Sequence, residues 1–148
     1  MFQIRVFTAA VQDHRGWRHA GAGLEMGDSS RCFLLDLSAW DIDDYEAQWR
    51  HGLERMVQGA ASTALMSAYR DDPGAPQVMW ALWRSEGHVY VQEHCLLPGE
   101  LDDPFDPSDP YPHVGERIPA GELGPCMPEW RFDVGDLFAA SIRIHRPR

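Results

Sequence analysis

Lysine is missing from this chain: all thirteen basic residues are arginine, and they stand against 23 acidic residues for a formal net charge of −10. A field of that sign repels nucleic acid phosphates, keeps a protein soluble and speeds its encounter with basic proteins, so direct nucleic acid binding is not expected. Cysteine is scarce. Cys32, Cys95 and Cys126 are widely spaced, odd in number and contain no Cys-x-x-Cys pair, which excludes a disulfide framework or zinc knuckle and leaves reduced, buried thiols as the expectation. Long apolar runs are also lacking. Arg5 interrupts the opening Met1-Phe-Gln-Ile-Arg-Val-Phe, and no later stretch approaches the ~18 apolar residues of a membrane span, so no leader and no membrane contact is expected and the location is read as cytoplasmic. No Gly-rich phosphate loop, His-Glu-x-x-His run or Gly-x-Ser-x-Gly elbow occurs, so any enzyme would have to be assembled from scattered residues.

What is present is an ordinary globular composition, 44% hydrophobic and 24% charged, which excludes disorder and a fibrous class. A chain of 148 residues buries roughly 68–70% of its unfolded surface in one core. A single domain over 1–148, without repeats, is expected.

Phe2, Ile4 and Val6 alternate with Gln3, Arg5 and Phe7, the pattern of a half-buried strand running to about Thr8. Residues 12–30, with four glycines among histidines and charges, read as a loop with room for a loose hairpin. Arg31 to Leu37 is a short apolar run that suits a second strand. From Ile42 the apolar positions Ile42, Tyr45, Trp49, Leu53, Met56 and Val57 fall at steps of three and four, which places all six on one helical face. Asp41, Asp43, Asp44 and Glu46 crowd the first turn, where carboxylates cap free N–H groups and suit the helix dipole, and Gly59 closes the helix as a C′ residue.

Ser62 to Tyr69 suits a strand ended by the turn mark Asp71-Asp72-Pro73-Gly74. Val78 to Trp83 and His88 to His94 flank Ser85-Glu86-Gly87 as a β-hairpin with glycine at a positive φ. After Leu97, Pro98, Pro104, Pro107, Pro110 and Pro112 deny any regular ladder or helix, and a connection of that length is functional or mobile. Glu129 to Val134 reads as a returning strand, and Leu137 to Ile144 as either a second, short C-terminal helix or a strand; the tail is basic. The fold class is α+β, a mostly antiparallel sheet packed against one central amphipathic helix at about 42–58.

Three groups invite chemistry and resist it. His88 and His94 share a face of one strand but lie ~20 Å apart at ~3.3 Å per residue, too far for one metal. In Glu93-His94-Cys95, neighbours on a strand point to opposite faces, so His94 is poorly placed to activate Cys95. The acidic segment Glu100 to Tyr111 has proline where a calcium loop needs its glycine. A small hydrolase or metal-dependent enzyme built on His88, His94 or Glu93 stays open as an alternative, as does a non-toxin adaptor.

The spelling Tyr45-x-x-Gln48-Trp49-x-x-x-Leu53-x-x-Met56-x-x-Gly59 resembles the immunity proteins of bacterial contact-dependent growth inhibition systems. Further landmarks follow in order: the strand from Trp80 to Trp83, the strand Val89-Tyr90-Val91-Gln92, Phe105 and Tyr111 in a Pro-rich loop, Arg117, and Glu129-Trp130. The resemblance spans roughly residues 40–134; Pro128 stands where the family pattern carries serine. It implies a protein that binds and neutralises the C-terminal toxin domain of a large secreted effector as a heterodimer, with no catalytic residue, metal or cofactor. Without the resemblance, the same helix reads as a core helix.

Within that implication the candidate contact surface is the loop carrying Glu100, Asp102, Asp103, Asp106 and Asp109, with Phe105 and Tyr111 set among its prolines, together with Asp43 and Asp44 at the helix start. Prolines reduce the entropy lost on binding, carboxylates pair with the basic lining of a nuclease, and an aromatic side chain anchors the centre. The plain alternative is a solvated acidic surface.

Overall fold

The β5 strand, Ser62–Ala68, organises the molecule because only one of its edges meets a full-length strand. The structure, a computed structural model, describes residues 1–101, 103–123 and 128–146. In chain order the elements are β1 (Phe2–Val6), β2 (Val11–Gln12), β3 (Arg18–Met26), β4 (Ser29–Asp36), α1 (Ile42–Val57), β5, β6 (Gln77–Ser85), β7 (His88–Leu96), α2 (Ala120–Leu123), β8 (Trp130–Asp133), α3 (Val134–Phe138) and β9 (Ser141–Ile144). The strands form one sheet in the order β8-β7-β6-β5-β4-β3-β1-β9, with β2 pairing β3. Neighbours run antiparallel except β1 with β9 and β4 with β5. The α+β architecture read from the sequence is the one observed.

Six strand spacings separate β8 from β1, roughly 29 Å in a flat sheet at ~4.8 Å each. Yet Phe132 of β8 stacks on Phe2 of β1 with ring centroids 4.7 Å apart. The sheet is therefore strongly curled. Register places Leu82, Val91 and Trp130 on the same inward face, and one buried cluster joins that face to Tyr45, Trp49, Leu53 and Met56 of α1.

Residues 12–30 hold the hairpin for which the loop reading left room, with β3 a full strand and only 13–17 and 27–28 outside strands. Ala20, Ala22, Leu24 and Met26 alternate inward along β3, while Phe7 lies over Gly21 and Gly23 on the other side. A Cβ at Gly21 would stand 2.8 Å from the Phe7 ring, so the glycines that suggested a loop instead admit an aromatic cover. Val57 is exposed, and Gln48 and Gly52 take the inward positions that the apolar periodicity alone does not mark. Cys32 and Cys95 are free but exposed rather than buried, Cys32 on the outer face of β4 opposite Gly23 and Cys95 at the end of β7 beyond the covered part of its inward face; Cys126 lies outside the described residues. Leu137 to Ile144 divides between α3 and β9, which adds a parallel strand to β1. The Pro-rich connection holds 3-10 turns at Pro98–Glu100 and Tyr111–His113 as well as α2, because proline is compatible with the first turn of a helix. At the β6–β7 hairpin both Glu86 (φ 51) and Gly87 (φ 82) adopt the positive φ of a type I′ turn.

The helix start behaves as its sequence indicates. Asp41 accepts from the Asp44 N–H and Asp44 returns a bond to the Asp41 N–H, a capping box, and Gly59 follows the helix at φ 113. What the helix covers is less ordinary. β4 and β5 pair only at Asp36 and Ala68, leaving the backbone of β5 unpaired on that side. Side chains of α1 complete it: Gln48 Nε2 donates to the Ala64 carbonyl at 2.8 Å, Gln48 Oε1 accepts from Met66 N–H at 2.7 Å, and Trp49 Nε1 donates to the Met66 carbonyl at 2.7 Å. Tyr45 donates to the Asp36 carbonyl and accepts from Tyr69 N–H. Gly52 permits the approach, since a Cβ there would lie 2.7 Å from the Ala64 carbonyl oxygen.

Each buried backbone group left without a partner costs ~1–3 kcal/mol, so Gln48→Leu, which strands two, is expected to lower stability by on the order of 3 kcal/mol in chemical denaturation. Gly52→Ala is expected to cost about 1–3 kcal/mol through overpacking, while Val57→Ala changes stability by less than about 0.5 kcal/mol.

Candidate functional site

The Pro-rich connection crosses the outer face of the sheet as a strap fixed at four residues, Tyr111, Gly115, Arg117 and Ile118. Tyr111 is buried, its hydroxyl accepting from Gln48 Nε2 at 3.3 Å and lying 2.8 Å from His51 Nδ1, with the Arg55 guanidinium 4.0 Å above its ring. Burial raises the Tyr111 pKa and keeps the hydroxyl neutral. Trp83 Nε1 donates to the Gly115 carbonyl at 2.9 Å, and Gln92 Nε2 to that of Ile118 at 2.9 Å. Arg117 forms a two-pronged ion pair with Glu129 (2.8 and 2.6 Å) and stacks 3.6 Å over Tyr90. Burial alone would raise the Glu129 pKa; the bonds from Arg117 and Gln92 outweigh it and hold the carboxyl below its ordinary range. The landmarks Trp83, Tyr90, Arg117 and Glu129 thus serve one purpose, fastening the strap. Trp80 is buried beside Trp130, ring centroids 5.8 Å apart, on the inward face.

Between the start of the strap and the β5–β6 connection lies a cleft of about 530 Å³. Gln77 fixes one wall, its amide accepting from Arg70 N–H at 3.0 Å and donating to the Arg70 carbonyl at 2.8 Å. The Arg70 guanidinium donates to buried Asp36, which also accepts from Ser38 N–H at 2.9 Å. Burial would raise the Asp36 pKa, but the Ser38 and Arg70 bonds hold it low, so Asp36 stays ionised. Tyr69 and Phe105 contribute aromatic surface, centroids 6.5 Å apart, and Phe105 also packs against His113 at 5.3 Å. Asp71, Asp72 and Asp103 line the cleft and are exposed, and none forms a salt bridge among the described residues.

The candidate contact residues separate under this geometry. Glu100, Asp103, Asp106 and Asp109 are exposed along the strap and Phe105 is half-buried beside them; Asp102 lies outside the described residues. Tyr111 is not on this surface, because it is the strap's buried latch. Asp44 is committed to the capping box and Asp43 pairs with Arg146 at 3.0 Å, so the helix start is engaged within the chain. Asp71 and Asp72, read in sequence only as a turn, are the acidic residues that the fold adds; their adjacency to Pro-Gly was the signal, and it carries no information about the facing wall. His88 Nδ1 lies 3.4 Å from an Asp133 carboxylate oxygen, whereas His94 sits beside Trp83 and is held below the ordinary histidine pKa by burial. Glu93 occupies the opposite face of β7, so these three converge on no common point. Among the described residues no three His, Cys, Asp or Glu side chains gather at metal-binding spacing.

The family model of the CdiI N-terminal domain matches residues 35–139 of this chain. Among solved structures, the chain is similar to one described as a CdiA-CT/CdiI toxin and immunity complex from Enterobacter cloacae, with a TM-score of 0.80, 23% identity and 94% of each chain covered. That likeness speaks for the fold. No curated protein matches the sequence.

Because the folded-state pKa of Glu129 is depressed, its contribution is present above the ordinary value of 4.5 and is lost as pH falls through the lower folded value. Urea titrations between pH 6 and pH 3 are therefore expected to show a steeper acid loss in the parent chain than in Glu129→Gln, which is less stable at pH 6 and loses less on acidification.

Proposed function

We propose a function from one established premise: the chain belongs to the CdiI N-terminal domain family, the immunity proteins of contact-dependent growth inhibition. It binds the C-terminal toxin domain of a large secreted effector, one copy to one, and neutralises it without catalysing a reaction. The family match over 35–139 carries this reading. Charge refines the partner. A net charge of −10 and a strap bearing Glu100, Asp103, Asp106 and Asp109 complement a basic protein, and a nuclease that must grip phosphate is basic at its active site. The reading is therefore an inhibitor that covers the active site of a toxic nuclease in the cytoplasm. Among the described residues no helix is long and apolar enough to cross a membrane.

Coexpression with the C-terminal domain of the large secreted protein encoded beside it is expected to yield a copurifying complex and to restore growth; absence of both binding and rescue contradicts the reading. If the strap steers the toxin, charge reversal at Asp102, Asp103, Asp106 and Asp109 slows association by about tenfold or more and flattens its salt dependence. Stopped-flow association rates at two ionic strengths make that comparison, and unchanged rates remove the strap from the interface.

A further inference from the structure

We infer that the cleft between the β5–β6 connection and the strap receives an arginine side chain of the toxin domain, an inference that rests on the immunity reading and specifies its contact. The cleft has one cation of its own, Arg70, and that charge is already matched by buried Asp36. Asp71, which accepts from the Tyr69 hydroxyl at 3.3 Å, Asp72, which accepts from Gly74 N–H at 3.0 Å, and Asp103 are exposed carboxylates lining a concave space with no cationic partner among the described residues, so the cleft carries negative charge that these neutral donors leave unmatched. Its remaining lining is largely apolar or aromatic: Tyr69, Phe105, Leu96, Leu101, Pro98 and Pro104.

A flat guanidinium fits both halves of this description. It stacks on aromatic faces, is more weakly hydrated than an ammonium and presents a rigid fork of donors to carboxylates, whereas lysine supplies a strongly hydrated point charge. The walls are set before binding. The two hydrogen bonds between the Gln77 amide and the Arg70 backbone, the Arg70–Asp36 pair and the Tyr45 hydroxyl on Tyr69 N–H hold one side, while Phe105, seated between Tyr69 and His113, fixes the other. Preorganisation of this kind reduces the ordering cost of association. The volume of about 530 Å³ admits a long side chain together with part of the segment that presents it.

The probe is the coexpressed toxin domain, titrated by calorimetry against the parent chain, Asp71→Asn/Asp72→Asn/Asp103→Asn, the single variant Asp103→Asn, and Phe105→Ala. Neutralising all three carboxylates is expected to weaken binding by about 100-fold and Asp103→Asn alone by about tenfold, with a smaller salt dependence; Phe105→Ala is expected to lose about tenfold. One toxin arginine, replaced by lysine, weakens binding to the parent chain but has little further effect on the neutralised chain. Unchanged affinity in the neutralised chain, while the parent chain binds the toxin and restores growth, overturns the cleft and leaves the immunity reading standing. A loss of affinity without coupling to any toxin arginine overturns the arginine. A parent chain that neither binds nor rescues overturns both. The altered carboxylates are exposed, and an unchanged melting temperature separates lost contact from lost fold.

Discussion

Gln48 closes a gap that the strands leave open. β4 diverges from β5 after a single residue pair, and a buried strand edge with free N–H and C=O groups is unstable unless something else bonds to it. One primary amide meets both requirements: its oxygen takes the Met66 N–H and its nitrogen serves the Ala64 carbonyl, much as an adjoining strand would. Trp49 and Tyr45 extend the same substitution toward the C-terminal end of β5, to the Met66 carbonyl and the Tyr69 N–H, and Gly52 lets the two backbones approach. The Tyr-x-x-Gln-Trp spelling thus has a physical reading: side chains of α1 complete the sheet.

The surface proposed to meet the toxin depends on this arrangement. Tyr45 bonds to Tyr69 N–H and to the Asp36 carbonyl, so it fixes the segment that carries Arg70, Asp71 and Asp72. Gln48 also donates to the Tyr111 hydroxyl, which latches the strap and with it Phe105 and the carboxylates from Glu100 to Asp109. The core and the proposed recognition face are consequently connected through a few hydrogen bonds. Carboxylates displayed on a fixed frame lose little entropy on binding, which suits an inhibitor that must engage a toxin quickly.

Much of the frame was legible because periodicity and turn chemistry report local structure. The helix from Ile42 with its acidic cap, the β6–β7 hairpin, the β5 strand and the α+β class all follow from such signals. β3 was obscured because Gly21 and Gly23 read as breakers, although they make room for Phe7; that contact belongs to the folded sheet and has no local signature. The inward role of Gln48 was hidden for the same reason, since a polar residue beside an apolar stripe reveals nothing of the unpaired strand it serves. In the strap, the acidic run could be read directly, but the burial of Tyr111 could not, because aromatic exposure cannot be judged from composition. Asp71 and Asp72 could be seen only as a turn until the strap was placed across from them.

Hydrogen–deuterium exchange of this chain with and without the coexpressed toxin domain tests the central claim most directly, because it maps the covered surface without altering a residue. Protection is expected at residues 69–77 and 98–109, with little change over β1 and β3. Protection concentrated on β1, β3 and β4, with the strap and the β5–β6 connection unchanged, would contradict the account.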